Sequence, residues 1–344
     1  MVPGGDHEAL IAVFGKHPGW DDHIDDIGLE TAALVSLKRS LYIDGIGGNI
    51  DAGSWERLDE TQRTDEFSSM FLSLTGDGVV LGRLWSSSDG KGRSRYPMIT
   101  CAQCPGKPLM WAIEQAVPCL ASVEERCRAT RSADDVRAIA ADAREKLTQA
   151  SASFGSGPPP TLGGLGTGAA LAELAEKIDA DQGQSAFLRI LYKMDRDMAV
   201  FMRKRKKDGR TQPHAQVLRL PVGYDDVARS LGVWSALMLS VLKPGADLLV
   251  IRSLADPWVD VVAGPVGAQQ LYCLRAGRKA LPCATDIPYG MDDAFMAQAS
   301  EMMESWRNGS VDVAGNIVRA DGSGKANGGV GGLLRSIASA FGKA

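Results

Sequence analysis

The sequence predicts an α+β fold: an antiparallel sheet flanked by helices, followed by a second α/β unit after a linker rich in glycine and proline. Three observations lead there. Short runs of apolar and β-branched residues, bounded by Gly, Asp and Ser, recur in both halves of the chain. Between them lie segments whose apolar residues repeat at three- and four-residue spacings, the pattern of helices with one buried face. Near the middle of the 344 residues, Ser151–Gly168 reads SASFGSGPPPTLGGLGTG and concentrates Pro, Gly and Ser into a boundary.

Taken in order, Leu10–Phe14 is a short apolar run ended by Gly15 and predicts a strand leading into the polar loop Lys16–Asp26. Leu29, Ala32, Leu34, Leu37 and Leu41 then give residues 29–42 one apolar helical face, and GIGGN at 45–49 is expected to stop that helix. Phe71–Leu74, Gly78–Trp85 and Pro97–Ala102 predict an antiparallel meander. Residues 108–127 and 132–150 predict helices, the second rich in alanine and carrying charge neighbours around Asp142–Lys146.

Past the linker, the pattern predicts a helix at 169–180, a mixed segment at 185–203, a strand around Gln216–Pro221 and a helix at 225–242. Leu248–Ser253 and Trp258–Ala263 read as paired strands around the turn-prone Ala255-Asp256-Pro257, with Leu271–Leu274 as a third strand and a last helix at 291–306. The expected division is therefore a first domain at 1–150, a linker at 151–168, a second α+β domain at 169–306 and a Gly-rich tail at 307–344. In that tail Leu333, Leu334, Ile337 and Phe341 fall near one helical face.

Composition narrows the function classes. With 44% hydrophobic and 23% charged residues the chain can build a substantial core, and a net charge of -4 supplies no global attraction to nucleic acid or anionic membrane. The first residues, MVPGGDHEAL, have neither a basic region nor a long apolar stretch, and runs such as 236–242 and 259–266 are too short to span a bilayer. A cytoplasmic address without stable membrane insertion is expected. Six scattered cysteines suggest no disulfide framework, and the single CxxC pair, Cys101 and Cys104, lacks the second pair of a structural zinc site.

Two polar segments carry the most information. FGKHPGWDDHIDD at 14–26 gathers His17, Asp21, Asp22, His23, Asp25 and Asp26 in one loop. Imidazoles and carboxylates together could hold a metal for hydrolysis, but the two histidines stand six apart across a Pro-Gly turn, without the regular spacing that fixes zinc ligands. A structural or partner-binding loop accounts for the same residues. In GRLWSSSDGKGRSRYPM at 82–98, Ser86–Ser88, Asp89 and two glycines separate two strands, while Lys91, Arg93 and Arg95 supply positive charge. The spacing is not that of a phosphate-binding Walker loop, and a hairpin connection explains the Gly and Asp.

These segments resemble the TagF/ImpM family of the bacterial type VI secretion system. Gly15-Lys16-His17-Pro18, with Asp21 or Asp22 as the acidic step, matches its first motif. Ser87-Ser88-Asp89-Gly90-Lys91-Gly92-Arg93-Ser94-Arg95-Tyr96-Pro97 matches its Ser-x-Asp-x-x-Gly-Arg-x-x-Pro signature, and Trp55 and Phe71 stand where the family places aromatics. The likeness covers about the first 110 residues. It implies a longin-like or related sandwich and a non-enzymatic accessory or regulatory role, exercised by binding type VI secretion components, a forkhead-associated protein among them in some systems. It also implies that the two motifs meet in one partner-binding or structural polar site of Lys16, Asp21, Asp22, Ser88, Asp89 and Arg93, with Arg93 forking onto Asp21 or Asp22.

Other candidates are simpler. RKRKKDGR at 203–210 is a basic run in which Arg203, Lys204, Arg205, Lys206 and Lys207 could bind a phosphate or nucleic acid, or merely face water. GGLGTGAALA at 163–172 follows a polyproline run instead of a strand, which argues against a dinucleotide site. No cofactor, small-molecule substrate or assembled nucleophile is expected; His214 follows Pro213 in a loop, and no serine or cysteine sits in a recognisable elbow.

Overall fold

The structure is a computed structural model that describes residues 8–155, 162, 168–204, 215–242, 246–288 and 290–307, without the side chains of 197–204, 240 and 241. Its centre is one seven-stranded sheet in which every neighbouring pair is antiparallel, in the order β1-β4-β3-β2-β6-β7-β5. The strands are β1 (Leu10–Gly15), β2 (Ser68–Thr75), β3 (Gly78–Ser86), β4 (Pro97–Gln103), β5 (Gln216–Pro221), β6 (Leu248–Ser253) and β7 (Trp258–Ala263).

Both faces of this sheet are covered, which is why its strands read as near-continuous apolar runs. On one face Val13, Met70, Leu72, Leu81, Trp85 and Val250 pack beneath a helical layer. That layer comprises α3 (Leu109–Arg128), α4 (Ala133–Ala152), α5 (Gly168–Gln182), α6 (Ala186–Lys204), α7 (Val227–Val241) and α9 (Asp293–Arg307). On the other face Phe14, Phe71, Leu84, Ile99, Ile251 and Val262 meet a smaller layer. This is built from α1 (Ala32–Leu37), a π-helical stretch Lys38–Gly47, α2 (Gly48–Asp51), α8 (Ala268–Leu271) and a 3-10 turn at Tyr272–Leu274.

The meander β2–β3–β4 and the β6–β7 hairpin follow the sequence pattern, but four expectations are corrected. Among the described residues no separate second sheet forms: β2 pairs with β6 from Ser69↔Ser253 to Leu74↔Leu248, so strands from both sides of the linker share one sheet. Residues 185–203, expected to be mixed, lie almost wholly in the single helix α6. Leu271–Leu274 is helical instead of extended, because a short apolar run satisfies a buried turn as readily as a strand.

The fourth correction concerns GIGGN, which does not end its helix: helical backbone continues through it to Asp51. The glycines there serve contact. A Cβ on Gly45 would lie 2.2 Å from Leu271 Cδ1, and one on Gly48 would lie 3.0 Å from Ala268 Cβ, so their absence lets α8 approach. Asn49 Nδ2 then donates to Ala268 O at 2.6 Å and Trp55 Nε1 to Tyr272 O at 3.1 Å, contacts that offset glycine's helix cost of about 1 kcal/mol. Gly45→Val should therefore destabilise the protein by about 1–3 kcal/mol through overpacking, despite valine's better helix propensity. Urea unfolding measures this, and a stabilised variant would contradict the close approach.

The linker lies mostly outside the described residues, as do 205–210 of the basic run and the tail from 308. Arg203 and Lys204 end α6, and their side chains are also outside the description. Among the described residues no helix is long and apolar enough to cross a membrane.

Candidate functional site

The two motif segments meet at the end of the sheet where β1 stops and β4 begins. Gly15 turns the chain there with φ +107°, and a Cβ would stand 2.2 Å from Pro97 O. Lys16 N donates to Pro97 O at 3.2 Å and Ile24 N to Gly15 O at 2.8 Å, so residues 16–23 form a narrow loop closed on itself. The antiparallel connection between β3 and β4 supplies the facing loop, Ser87–Tyr96.

Asp89 is the hub. Its buried carboxylate accepts four hydrogen bonds: Oδ1 from the backbone N–H groups of Lys91 and Arg93, each at 3.0 Å, and Oδ2 from Lys16 Nζ at 2.9 Å and Arg93 Nε at 2.7 Å. Buried Lys16 also donates to Asp22, and Arg93 Nη2 donates to Asp22 Oδ1 at 3.2 Å and to Asp21 O at 2.8 Å. Gly90 N donates to Trp20 O at 2.7 Å, in a contact so close that a Cβ on Gly90 would sit 3.2 Å from Pro18 O, Trp20 O and Asp21 Oδ1. The signature is thus a physical device: Asp89 organises its own turn, Gly90 admits the other loop, and Arg93 closes over both.

Lys16, Asp22, Asp89 and Arg93 form one network, while Asp21 joins through its carbonyl and points its exposed carboxylate outward, 3.9 Å from Lys91 Nζ. Ser88 is half-buried and makes no side-chain hydrogen bond among the described residues. The expected Arg93 fork onto one carboxylate of the first loop is corrected. The guanidinium divides between Asp89 and the first loop, because Asp89 lies four residues away and reaches Nε directly.

This arrangement limits the available chemistry. Burial acts to raise the Asp89 carboxyl, but hydrogen bonds from Lys16 and Arg93 outweigh it and hold the group well below the usual carboxylate range. The bond from Lys16 likewise lowers Asp22. A carboxylate so strongly held in its ionised form, with all its acceptor positions engaged, is poorly suited to general acid–base work near neutrality. The Lys16 ammonium also stands between the two carboxylates a metal would need. His17 engages both ring nitrogens, and His23 Nδ1 lies 3.1 Å from Asp22 Oδ1. Among the described residues no cluster of three or more His, Cys, Asp or Glu is arranged to hold a metal ion. Cys101 and Cys104 are both buried and unpaired, and burial raises both thiols.

Sequence reasoning missed the surroundings of the network. His23 packs against Tyr96 and Tyr42 with ring centroids 5.3 and 5.9 Å away, which brings the π-helical stretch to the site. Burial and, second, Lys16 push the His23 imidazole down. Tyr96 lies inside the second motif and could have been suspected; Tyr42 carries no local signal. Compared with models of known protein families and with curated proteins, the chain matches none.

Proposed function

We propose that this chain is a non-enzymatic accessory protein of type VI secretion that acts by binding other components of that system, a forkhead-associated protein among them. The carrying observation is the union of the two TagF/ImpM-like motifs in one closed charge network around Asp89. Its charges satisfy one another, so the network is built to hold two loops in a fixed relation instead of transforming a substrate. The outer rim, including Asp21 and Lys91 with side chains 84% and 61% exposed, would be the recognition surface.

Charge reversal at the rim tests this without disturbing the brace. Asp21→Lys combined with Lys91→Glu should leave the circular dichroism spectrum and unfolding midpoint unchanged and weaken binding to a purified type VI forkhead-associated component by about tenfold or more. Isothermal titration calorimetry reads the affinity. Undiminished binding by the folded double variant would remove this rim from the interface, and absence of wild-type binding to any purified type VI component would remove the reading itself.

A further inference from the structure

His17 anchors the first loop to the helical layer. It is 2% exposed, with Nδ1 accepting from Gly19 N–H at 3.0 Å and Nε2 3.0 Å from the carbonyl of Cys127 near the end of α3. A carbonyl can only accept, so Nε2 carries the ring proton and Nδ1 carries none: the geometry requires a neutral imidazole. A second proton would set an N–H against the Gly19 N–H. It would also have to be accommodated without a counter-charge bonded to the ring: Asp135, at the start of α4, accepts from the Thr130 hydroxyl, and the other charges nearby pair with one another. Lys16 pairs with Asp22 and Asp89, Asp25 and Asp134 with Arg137, Glu124 with Arg83 and Arg128, and Arg126 with Asp142.

The turn held by this ring is mechanically connected to the other loop. Trp20 packs edge-on against His17 at 5.8 Å and donates its backbone N–H to His17 O at 3.0 Å, while Trp20 O accepts the Gly90 N–H. We propose that His17 is a proton-operated latch: neutral, it ties the Pro18–Trp20 turn to α3; protonated, it releases that turn and, through Trp20 and Gly90, loosens the two-loop network. The latch is independent of what the rim binds.

Burial pushes the closed-state imidazole below its ordinary value of 6.5, so the latch is fully effective above that pH. It weakens by about tenfold per pH unit as pH falls from there through the closed-state value. Amide hydrogen exchange at Gly19 and Gly90, corrected for intrinsic rates and followed from about pH 7.5 to about pH 5.5, reads the opening directly. The wild type should gain in exchange between those limits, by up to about tenfold, and His23→Gln should preserve the gain. In His17→Gln the pH dependence should vanish, whether the loop is held constantly open or constantly closed. Retention of the dependence in His17→Gln, or its absence in the wild type, would overturn the latch. Should that variant fail to fold, nitrogen NMR of the wild-type imidazoles decides. His17 must begin as the Nε2–H tautomer and protonate together with loop opening, and a ring that stays neutral while the loop opens refutes the proposal.

Discussion

Arg219→Met should destabilise the protein by about 3–5 kcal/mol in urea unfolding, a larger loss than overpacking at Gly45 should cause, because it strands a buried charge. Arg219 and Asp260 are register partners on β5 and β7, 1% and 3% exposed, and pair bidentately at 2.7 and 2.8 Å. The guanidinium does more than pair. Nη1 donates to Ala276 O at 2.6 Å and Leu281 O at 3.2 Å, and Nη2 to Cys273 O at 2.9 Å, so the side chain ties the 273–281 segment to the sheet. Its planar face lies 4.2 Å from the Trp258 ring centroid. Burial opposes the charge, yet the hydrogen bonds to Asp260 raise the Arg219 pKa above its ordinary value.

The double variant Arg219→Met with Asp260→Leu separates the two roles. Replacing an isolated buried ion pair by apolar residues is often neutral or stabilising, whereas here three carbonyls would still lose their donor. The double variant should therefore recover only part of the loss. Full recovery would mean that the tie to 273–281 contributes nothing.

Cleavage within 156–167 should leave both fragments in one complex that elutes at the position of the intact chain. The β2–β6 ladder crosses from one fragment to the other, and separating it would expose the apolar residues of β2 and β6 on both sheet faces. Further ties span the same division: Arg275 donates to Thr64 O at 2.9 Å and Asp65 O at 3.0 Å, and α3 packs on α7. Expressed separately, residues 1–155 and 168–344 should each lack a cooperative unfolding transition and regain one when mixed. Two independently stable fragments that part on size exclusion without denaturant would show that the shared sheet contributes little.

Local pattern served well wherever one segment's chemistry decided its own conformation. The meander is legible because Asp77-Gly78 and the Asp89–Gly92 stretch bound runs of apolar residues, and α4 is legible because Ser132 caps it, accepting from Asp135 N. The polar site was legible to the extent that resemblance to a family signature named its residues; three of the four hydrogen bonds to Asp89 come from its own turn, and the fourth, from Lys16 on the other loop, is not local. His17 was visible as a residue, but its role depends on Cys127, 110 positions away. Arg219 and Asp260 interrupt the otherwise apolar LRL and VDV patterns, a signal that says a partner is required without saying which.

By itself, then, the sequence determined the α+β class, most strand and helix positions and the polar residues of the two loops, since these follow from short-range periodicity, capping and turn chemistry. Tertiary structure decided that the β2–β6 ladder makes one sheet, that Gly45 and Gly48 admit a neighbouring helix instead of ending their own, and that Leu271–Leu274 is helical. It also decided that His17 is held neutral between Gly19 and Cys127. Each of these depends on which distant surface arrives, and the free energy of burying that surface exceeds the roughly 1 kcal/mol preferences by which local sequence declares itself.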